Sequence, residues 1–211
     1  MPTLHYIFDP LCGWCYGASA ALAAVADRAG VHLNLLPSGL FAEEGARTMD
    51  DDFAAYAWSN DQRIERLTGQ RFTERYRAEV LGNRQQRFDS ALATLALSAV
   101  ALTAPDKELD ALKAIQQARY VDGKDITRTD TLVSILETLG LAQAALRLQT
   151  PDAELLDTNR ARMDQAQRLL QAFGARGVPT FILETEGQRK LLHAGSAFAD
   201  PQAFAQELQT A

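Results

Sequence analysis

The chain has 211 residues, a length that fits one domain with an elaboration better than two full domains. Its apolar fraction of 47% lies within the ordinary globular range, which excludes disorder as the dominant state and allows a core of useful size. Its formal net charge is −6 and its Lys and Arg residues form no basic block, which argues against a nucleic-acid partner.

Two uncharged stretches, residues 10–26 and 90–105, are the candidates for membrane insertion. Each is shorter than the ~20 apolar residues of a spanning helix. The first contains an Ala-Ser-Ala sequence like a signal-peptide cleavage site, but no Lys or Arg precedes it, and cleavage there would remove both cysteines. We therefore expect a soluble, unprocessed, cytoplasmic protein with no membrane partner.

The first forty residues predict a strand, a helix and a second strand. Residues 4–8 form a β-type run that ends at an Asp-Pro turn signal. The motif Cys-Gly-Trp-Cys at residues 12–15 follows and leads into an Ala-rich helix that extends to about Ala29. Residues 31–35 alternate apolar and polar side chains, which predicts a strand with one buried face. The cysteine pair is thus placed at the start of the helix of a βαβ unit.

Residues 41–149 predict a helical block. Apolar residues recur there every three or four positions. The predicted helices span residues 51–58, 65–81, 90–103, 106–120 and 129–139.

The last sixty residues return to mixed structure. Thr150-Pro151 predicts a helix start, and the helix has Leu155 and Leu156 on its apolar face and Arg160, Arg162 and Arg168 on its solvated face. Residues 180–183 predict a strand buried on both faces, which pairs with residues 189–194 in a hairpin. Asp200-Pro201 predicts a closing helix with Phe204 and Leu208 directed inward.

The chemistry of the chain is concentrated in its two cysteines, Cys12 and Cys15. A spacing of three residues on a helix places both sulfurs on one face, close enough for a disulfide. The free N–H groups and the dipole at the helix N-terminus favour the thiolate form of the first cysteine. We therefore expect Cys12 to be the attacking nucleophile and Cys15 to be the resolving thiol.

Two alternatives to a redox role remain for this pair. Half of a zinc site would need further ligands from His5, His32 or His193, and none of these histidines lies at a finger-like spacing from the cysteines. Two inert buried thiols are the other alternative. Both are less favoured than a redox-active pair, because the motif lies at an exposed loop–helix junction.

Several motifs carry a family resemblance over essentially the whole chain. The Cys-Gly-Trp-Cys motif after a short strand, together with Gly-Val-Pro-Thr-Phe at residues 177–181, resembles the thioredoxin-fold disulfide oxidoreductases. The long helical insertion resembles the DsbA family. Residues 8–17 (Phe-Asp-Pro-Leu-Cys-Gly-Trp-Cys-Tyr-Gly) and 120–126 (Tyr-Val-Asp-Gly-Lys-Asp-Ile) are similar to the bacterial predicted protein-disulfide isomerases of that family.

The resemblance implies an α/β thioredoxin fold, β-α-β followed by α-β-β-α, with a large all-helical insertion. Residues 1–40 and 150–211 would form the discontinuous thioredoxin-fold domain, and residues 41–149 the inserted helical domain. Pro179 would follow a cis peptide bond in a loop that faces the cysteines, and the Val178 backbone would pair with an extended substrate. An ordinary proline at the start of a strand is the alternative.

The residues around the cysteines depart from the best-known members of this superfamily. The oxidising DsbA enzymes have Pro-His between their cysteines, whereas this chain has Gly13 and Trp14, so a strongly oxidising potential is not expected. Gly13 and Trp14 are candidate substrate-binding residues. For Trp14, packing under the insertion is an equal alternative. Asp9 is a candidate proton acceptor for Cys15, although an acid in such a turn is more often a local cap.

The predicted function is therefore a protein thiol–disulfide oxidoreductase or disulfide isomerase. Its substrates would be protein or low-molecular-weight thiols and disulfides, with no bound cofactor or metal and with glutathione as a candidate co-substrate. The alternative is a glutathione-dependent transferase or isomerase of the kappa-class or chromene-carboxylate-isomerase type, which shares this fold. Such enzymes typically have Ser at the position of Cys12, so the complete motif counts against that alternative.

Overall fold

A computed structural model describes residues 1–28 and 30–210 of the chain. The N-terminal unit consists of β1 (Thr3–Phe8), α1 (Gly13–Gly17), α2 (Ser19–Ala26) and β2 (His32–Pro37). The single helix predicted here is wrong, since Ala18 separates two helices and the Ser19 hydroxyl donates to the Tyr16 carbonyl at the break. Ala29, the predicted end of that helix, lies outside the described residues.

The middle of the chain is mainly helical. It contains the short strands β3 (Arg47–Thr48) and β4 (Arg87–Phe88), which pair with each other and which the sequence did not predict. The helices are α3 (Asp51–Thr68), α4 (Glu74–Tyr76) with a π-helical continuation (Arg77–Leu81), α5 (Ala91–Thr103), α6 (Glu108–Tyr120), α7 (Thr129–Thr138) and α8 (Ala142–Gln149).

The predicted helices 51–58 and 65–81 have the wrong bounds, because local capping sets different ends. The carboxylate of Asp50 accepts from the backbone N–H of Phe53 at the start of α3, and Gly69 ends that helix with φ of 74°. This left-handed conformation is readily adopted by glycine. Thr73 then caps α4 by accepting from the backbone N–H of Tyr76. The break between α3 and α4 therefore lies at residues 69–73.

The C-terminal part consists of α9 (Ala153–Ala172), β5 (Thr180–Thr185), β6 (Gln188–Leu192), α10 (Ala194–Ala199) and α11 (Pro201–Thr210). The predicted hairpin and closing helix are confirmed. The predicted helix start at Thr150-Pro151 is wrong, because the Asp152 carboxylate accepts from the backbone N–H of Leu155 and makes Asp152 the N-cap. Helix α10 was not predicted.

Four strands form one sheet in the order β2-β1-β5-β6. Strand β1 is central and pairs in parallel with β2 and antiparallel with β5, so Tyr6 lies between Leu35 and Phe181. Strands from both ends of the chain therefore form a single sheet. The domain boundaries at residues 40 and 150 remain a prediction.

Apolar side chains cover both faces of this sheet. Ile7, Leu36 and Ile182 pack under α9 with Ala166 and Leu169. The opposite face carries Tyr6, Phe8 and Phe181, which belong to a larger cluster that continues through α2 and α11 into the helical block. Full burial of each such side chain contributes roughly 1.5–3 kcal/mol.

Within residues 1–28 and 30–210, no helix combines the length and the apolar character needed to cross a membrane.

Two predictions for the long helix α9 are corrected. Leu156 is exposed, not inward-facing. Arg160 and Arg168 lie on the solvated face as predicted, but Arg162 does not. Its guanidinium pairs with the carboxylate of Glu108 and donates to the Ser98 hydroxyl at 3.0 Å and to the Leu35 carbonyl at 2.8 Å. This arginine therefore joins α9 to α5, α6 and strand β2.

Candidate active site

The Cys-Gly-Trp-Cys segment lies between the end of β1 and the first turn of α1. Cys12 is the N-cap residue of α1, and its backbone N–H donates to the Asp9 carbonyl at 3.0 Å. Two buried tyrosine hydroxyls hold the segment from opposite sides. Tyr6 on β1 donates to the Cys15 carbonyl at 3.1 Å, and Tyr120 on α6 donates to the Leu11 carbonyl at 2.7 Å. Both the sheet and the insertion therefore position the motif.

The two thiols are free and differ in accessibility. Cys12 is 8% exposed, whereas Cys15 is completely buried. Burial raises the pKa of Cys15 well above its ordinary value, and the adjacent Cys12 thiol raises it further. Only Cys12 is therefore open to a molecule that approaches from solvent, and Cys15 is held as a neutral thiol behind it.

The loop before β5 meets the cysteine motif from the far end of the sequence. The Val178–Pro179 peptide bond is cis, and Cys12 Sγ lies 3.6 Å from the Val178 carbonyl oxygen. The Thr180 hydroxyl donates to the Gly177 carbonyl at 2.7 Å and closes the loop. Because Thr180 pairs with Ile7 across the sheet, the fold brings the predicted residues Cys12, Val178 and Pro179 together.

Asp9 is fully buried and accepts three hydrogen bonds. The donors are the backbone N–H groups of Leu11 and Phe41, at 2.9 and 3.1 Å, and the Ser90 hydroxyl, at 2.7 Å. Burial raises the pKa of Asp9 in spite of these bonds. The bond to Leu11 is the local cap interaction that was predicted as the alternative role of Asp9. Asp9 also interacts electrostatically with Cys15, and its role as a proton acceptor stays a prediction.

A cleft of about 300 Å³ separates the cysteine motif from the insertion. Its floor is formed by Leu11, Cys12, Gly13 and Trp14, and the facing wall includes Phe41, Arg47, Phe53, Asn60, Asp61, Tyr76, Phe88 and Tyr120. The wall is mostly aromatic, with a few polar groups. This composition suits a small ligand or an extended chain that has both apolar and charged groups.

Trp14 contacts both the cleft and the surrounding helices. Its ring centroid lies 5.4 Å from that of Phe198, and the guanidinium of Arg63 lies 5.7 Å from its centre. Trp14 therefore packs against α10 and also lines the cleft. In contrast, Tyr16 stacks on Tyr120 at 4.8 Å and is buried under the insertion.

Asp61, a buried acid in the wall of the cleft, was not predicted from the sequence. Asp61 lies on α3, and its Oδ2 atom accepts from the Tyr76 hydroxyl at 2.9 Å. Burial raises the pKa of Asp61 to about 7, although the Tyr76 bond and the charge of Arg119 lower it. Asp61 falls between Ala57 and Ile64 on the inner stripe of α3, and an acid in such a stripe is a signal that could have identified it.

Arg119 is a second buried charge that was not predicted from the sequence. Its guanidinium lies 5.3–5.7 Å from the ring centres of Tyr76, Phe88 and Tyr120, and its charge lowers the pKa of both Asp9 and Asp61. Arg119 follows Leu112 and Ile115 on the inner stripe of α6.

Among the described residues, no three His, Cys, Asp or Glu side chains come together as a possible metal site.

Known structures resemble the chain over nearly its full length. The cytosolic disulfide reductase DsbM from Pseudomonas aeruginosa is 34% identical, with a TM-score of 0.89 over 99% of this chain and 97% of that one. A structure of DsbM with GSH gives 32% identity and a TM-score of 0.87 over 99% and 98% of the two chains. A proposed protein disulfide isomerase from Nitrosomonas europaea, 21% identical, shares the fold with a TM-score of 0.79 over 99% and 96%.

The sequence comparisons agree with this fold. No protein of curated function matches the chain, but the family model described as a DSBA-like thioredoxin domain matches residues 3–209. The predicted fold and the predicted thiol–disulfide oxidoreductase activity are confirmed by this match and by the DsbM likeness. The chain therefore belongs to the DSBA-like thioredoxin domain family of thiol–disulfide oxidoreductases.

Proposed function

We propose that this oxidoreductase works as a cytoplasmic disulfide reductase with glutathione as its electron donor. One observation carries the proposal: Cys12 is open to the cleft and contacts the Val178 carbonyl, while Cys15 is buried directly behind it. The 34% identity to a cytosolic disulfide reductase supports the direction of electron flow and the compartment. The structure of that relative with GSH supports glutathione as the thiol.

The proposed reaction has two halves. The Cys12 thiolate attacks a disulfide, whose S–S bond breaks as the Cys12–substrate mixed disulfide forms and the first thiol leaves. Cys15 gives up its proton and attacks the Cys12 sulfur, so the second thiol leaves and a Cys12–Cys15 disulfide remains. Two glutathione molecules then reduce this disulfide and leave as glutathione disulfide, which balances the two electrons given to the substrate. The Val178 carbonyl and Trp14 would hold the substrate beside Cys12.

The two thiols also differ in their exposure to the cleft, and the proposed cycle requires this difference. A substrate disulfide reaches Cys12 first, because Cys15 is completely buried and Cys12 is 8% exposed. The raised pKa of Cys15 keeps its proton in place until the mixed disulfide has formed. Asp9, which interacts electrostatically with Cys15, is the residue we propose to accept that proton.

Equilibration in glutathione redox buffers tests this proposal. We expect a reversible Cys12–Cys15 disulfide with a potential near the thioredoxin value of about −270 mV, far from the DsbA value of about −120 mV. The signal is the fluorescence of Trp14, isolated in a Trp58→Phe background because the chain has only two tryptophans. Thiol content measured on the same samples gives an independent readout.

The same redox titration, together with a binding measurement with S-methylglutathione, tests the transferase alternative. If no intramolecular disulfide forms at any glutathione ratio and S-methylglutathione binds tightly, the reductase proposal is wrong and a glutathione-dependent transferase or isomerase takes its place. A disulfide with a potential near the DsbA value would instead contradict the proposed direction of electron flow.

A further inference from the structure

Asp61 lies directly against the residue that follows the nucleophile. A Cβ atom added to Gly13 would clash with Asp61 Oδ1, so the carboxyl group packs onto the bare Cα of Gly13. The Tyr76 hydroxyl binds Oδ2 and fixes the orientation of the carboxyl group. Asp61 and Cys12 line the same cleft. The Oδ1 atom is thus held beside the space in which a substrate meets Cys12.

The surroundings of Asp61 allow it to exchange a proton near neutral pH. Burial raises its pKa to about 7. Among the described residues, the titratable and charged groups that interact with Asp61 or line the same cleft are Tyr76 from α4, Arg119 and Tyr120 from α6, Tyr56 from α3, Cys12 at the start of α1 and Arg47 from β3. None of these is a carboxylate, so Asp61 is the acid of this cleft.

Thiol–disulfide exchange at Cys12 creates a need for such an acid. The leaving sulfur departs on the side away from the attacking sulfur, which is toward the cleft, and it leaves as a thiolate. An alkyl thiolate is a poor leaving group because its conjugate thiol is a weak acid. A carboxylic acid within reach lowers this barrier by giving the leaving sulfur its proton.

We propose that Asp61 is the proton donor for the thiol that leaves when Cys12 attacks a disulfide. The S–S bond of the substrate breaks, the Cys12–substrate bond forms, the bonding pair goes to the leaving sulfur, and the Asp61 carboxylic acid becomes a carboxylate as it protonates that sulfur. When glutathione attacks the mixed disulfide in the reverse sense, the carboxylate takes the proton of the incoming thiol. This role rests on the proposed thiol–disulfide exchange at Cys12.

The test compares two leaving groups. Glutathione disulfide releases an alkyl thiol, whereas dithiobis(nitrobenzoate) releases an aryl thiolate that is stable without a proton. In a Cys15→Ser background, the rate of mixed-disulfide formation at Cys12 is measured for both by quenched-flow mass spectrometry. We expect Asp61→Asn to lower the ratio of the alkyl rate to the aryl rate about 100-fold, the lower end of what a positioned proton donor contributes.

The pH dependence of the ratio of the alkyl rate to the aryl rate gives a second test. The fraction of Cys12 thiolate cancels in the ratio, and the acid form of Asp61 is lost as pH rises through about 7. The ratio should therefore fall between about pH 6 and about pH 8. In Asp61→Asn it should be low and independent of pH. Asparagine keeps the oxygen that accepts from Tyr76, and Asp52→Asn, an exposed acid on the same helix, is the matched control.

Three outcomes are distinguishable. Equal loss of both rates in Asp61→Asn would show that Asp61 only holds the structure and would overturn the proposal. A ratio that matches the parent protein at every pH would overturn it as well. If the Cys15→Ser protein with Asp61 intact forms a mixed disulfide with neither reagent, the proposed function itself is wrong.

Discussion

Replacement of Cys12 by serine is expected to lower the rate of disulfide reduction by about 10³-fold or more, to the background level, because the variant lacks the proposed nucleophile. Serine has nearly the same shape, and its hydroxyl can still donate to the Val178 carbonyl, which the Cys12 thiol contacts at 3.6 Å. The fold should therefore be retained. The measurement is the glutathione-dependent reduction of a low-molecular-weight disulfide, with circular dichroism to check folding.

Cys15→Ser is the informative companion of this variant. It retains the attacking thiol but cannot close the Cys12–Cys15 ring, so it should react once with a disulfide and then stop, unless an external thiol resolves the adduct. Normal turnover by Cys12→Ser would exclude Cys12 as the nucleophile and with it the reaction proposed for this site.

Arg162→Met is expected to lower the free energy of unfolding by about 3–5 kcal/mol at neutral pH, because it leaves Glu108 buried without its partner. The side chains of Arg162 and Glu108 are only 13% and 10% exposed. Burial already raises the pKa of Glu108, and Arg162 opposes that rise. Without Arg162, the pKa of Glu108 in the folded state rises further above that in the unfolded state. Glu108 then keeps a proton in the folded state at a pH at which it has lost it in the unfolded state, so stability should fall further as pH rises. Urea unfolding at about pH 5 and about pH 8 measures both effects.

Two further variants separate the buried pair from a general loss of charge. Arg168→Met removes an exposed arginine from the same helix and should change stability by less than about 0.5 kcal/mol. The double variant Arg162→Met with Glu108→Met should recover most of the loss, since apolar residues often replace a buried ion pair without cost. Equal effects of Arg162→Met and Arg168→Met would show that the pair does not join α9 to the insertion.

The parts of the fold that were predicted from the sequence are those with strong local signals. Strand β1 is a β-type run with a turn at its end, the β5–β6 hairpin has Gly187 at its turn, and α11 begins at a proline. The position of Cys12 opposite Val178 was implied by the family resemblance, because no local pattern joins residues 166 positions apart.

The errors arose where tertiary contacts or side-chain caps decide the outcome. The residues from Glu65 onward have helical periodicity, but Gly69 and Thr73 end one helix and start another. Arg162 was predicted to share the solvated face of the helix with Arg160 and Arg168, but its partners Ser98, Glu108 and Leu35 come from three other segments.

In the candidate site, too, the residues of a local motif were predicted and the tertiary contacts were not. Cys12, Gly13 and Trp14 were predicted from one motif, whereas the facing wall comes from an insertion whose packing no local pattern specifies. Asp61 and Arg119 carried a usable signal, since each is a charged residue on an otherwise apolar helix stripe. That signal predicts burial, but only the fold shows that Asp61 faces the cysteine motif.

The most direct test of the account is to trap the mixed disulfide. Reduced Cys15→Ser protein is mixed with glutathione disulfide, and the product is examined by mass spectrometry of the intact chain and of its peptides. We expect one glutathionyl group per chain, located on Cys12, and no stable adduct in the protein that retains Cys15, because Cys15 releases it. The absence of an adduct on Cys12, or a stable adduct on Cys15 in Cys12→Ser, would contradict the assignment of Cys12 as the attacking thiol.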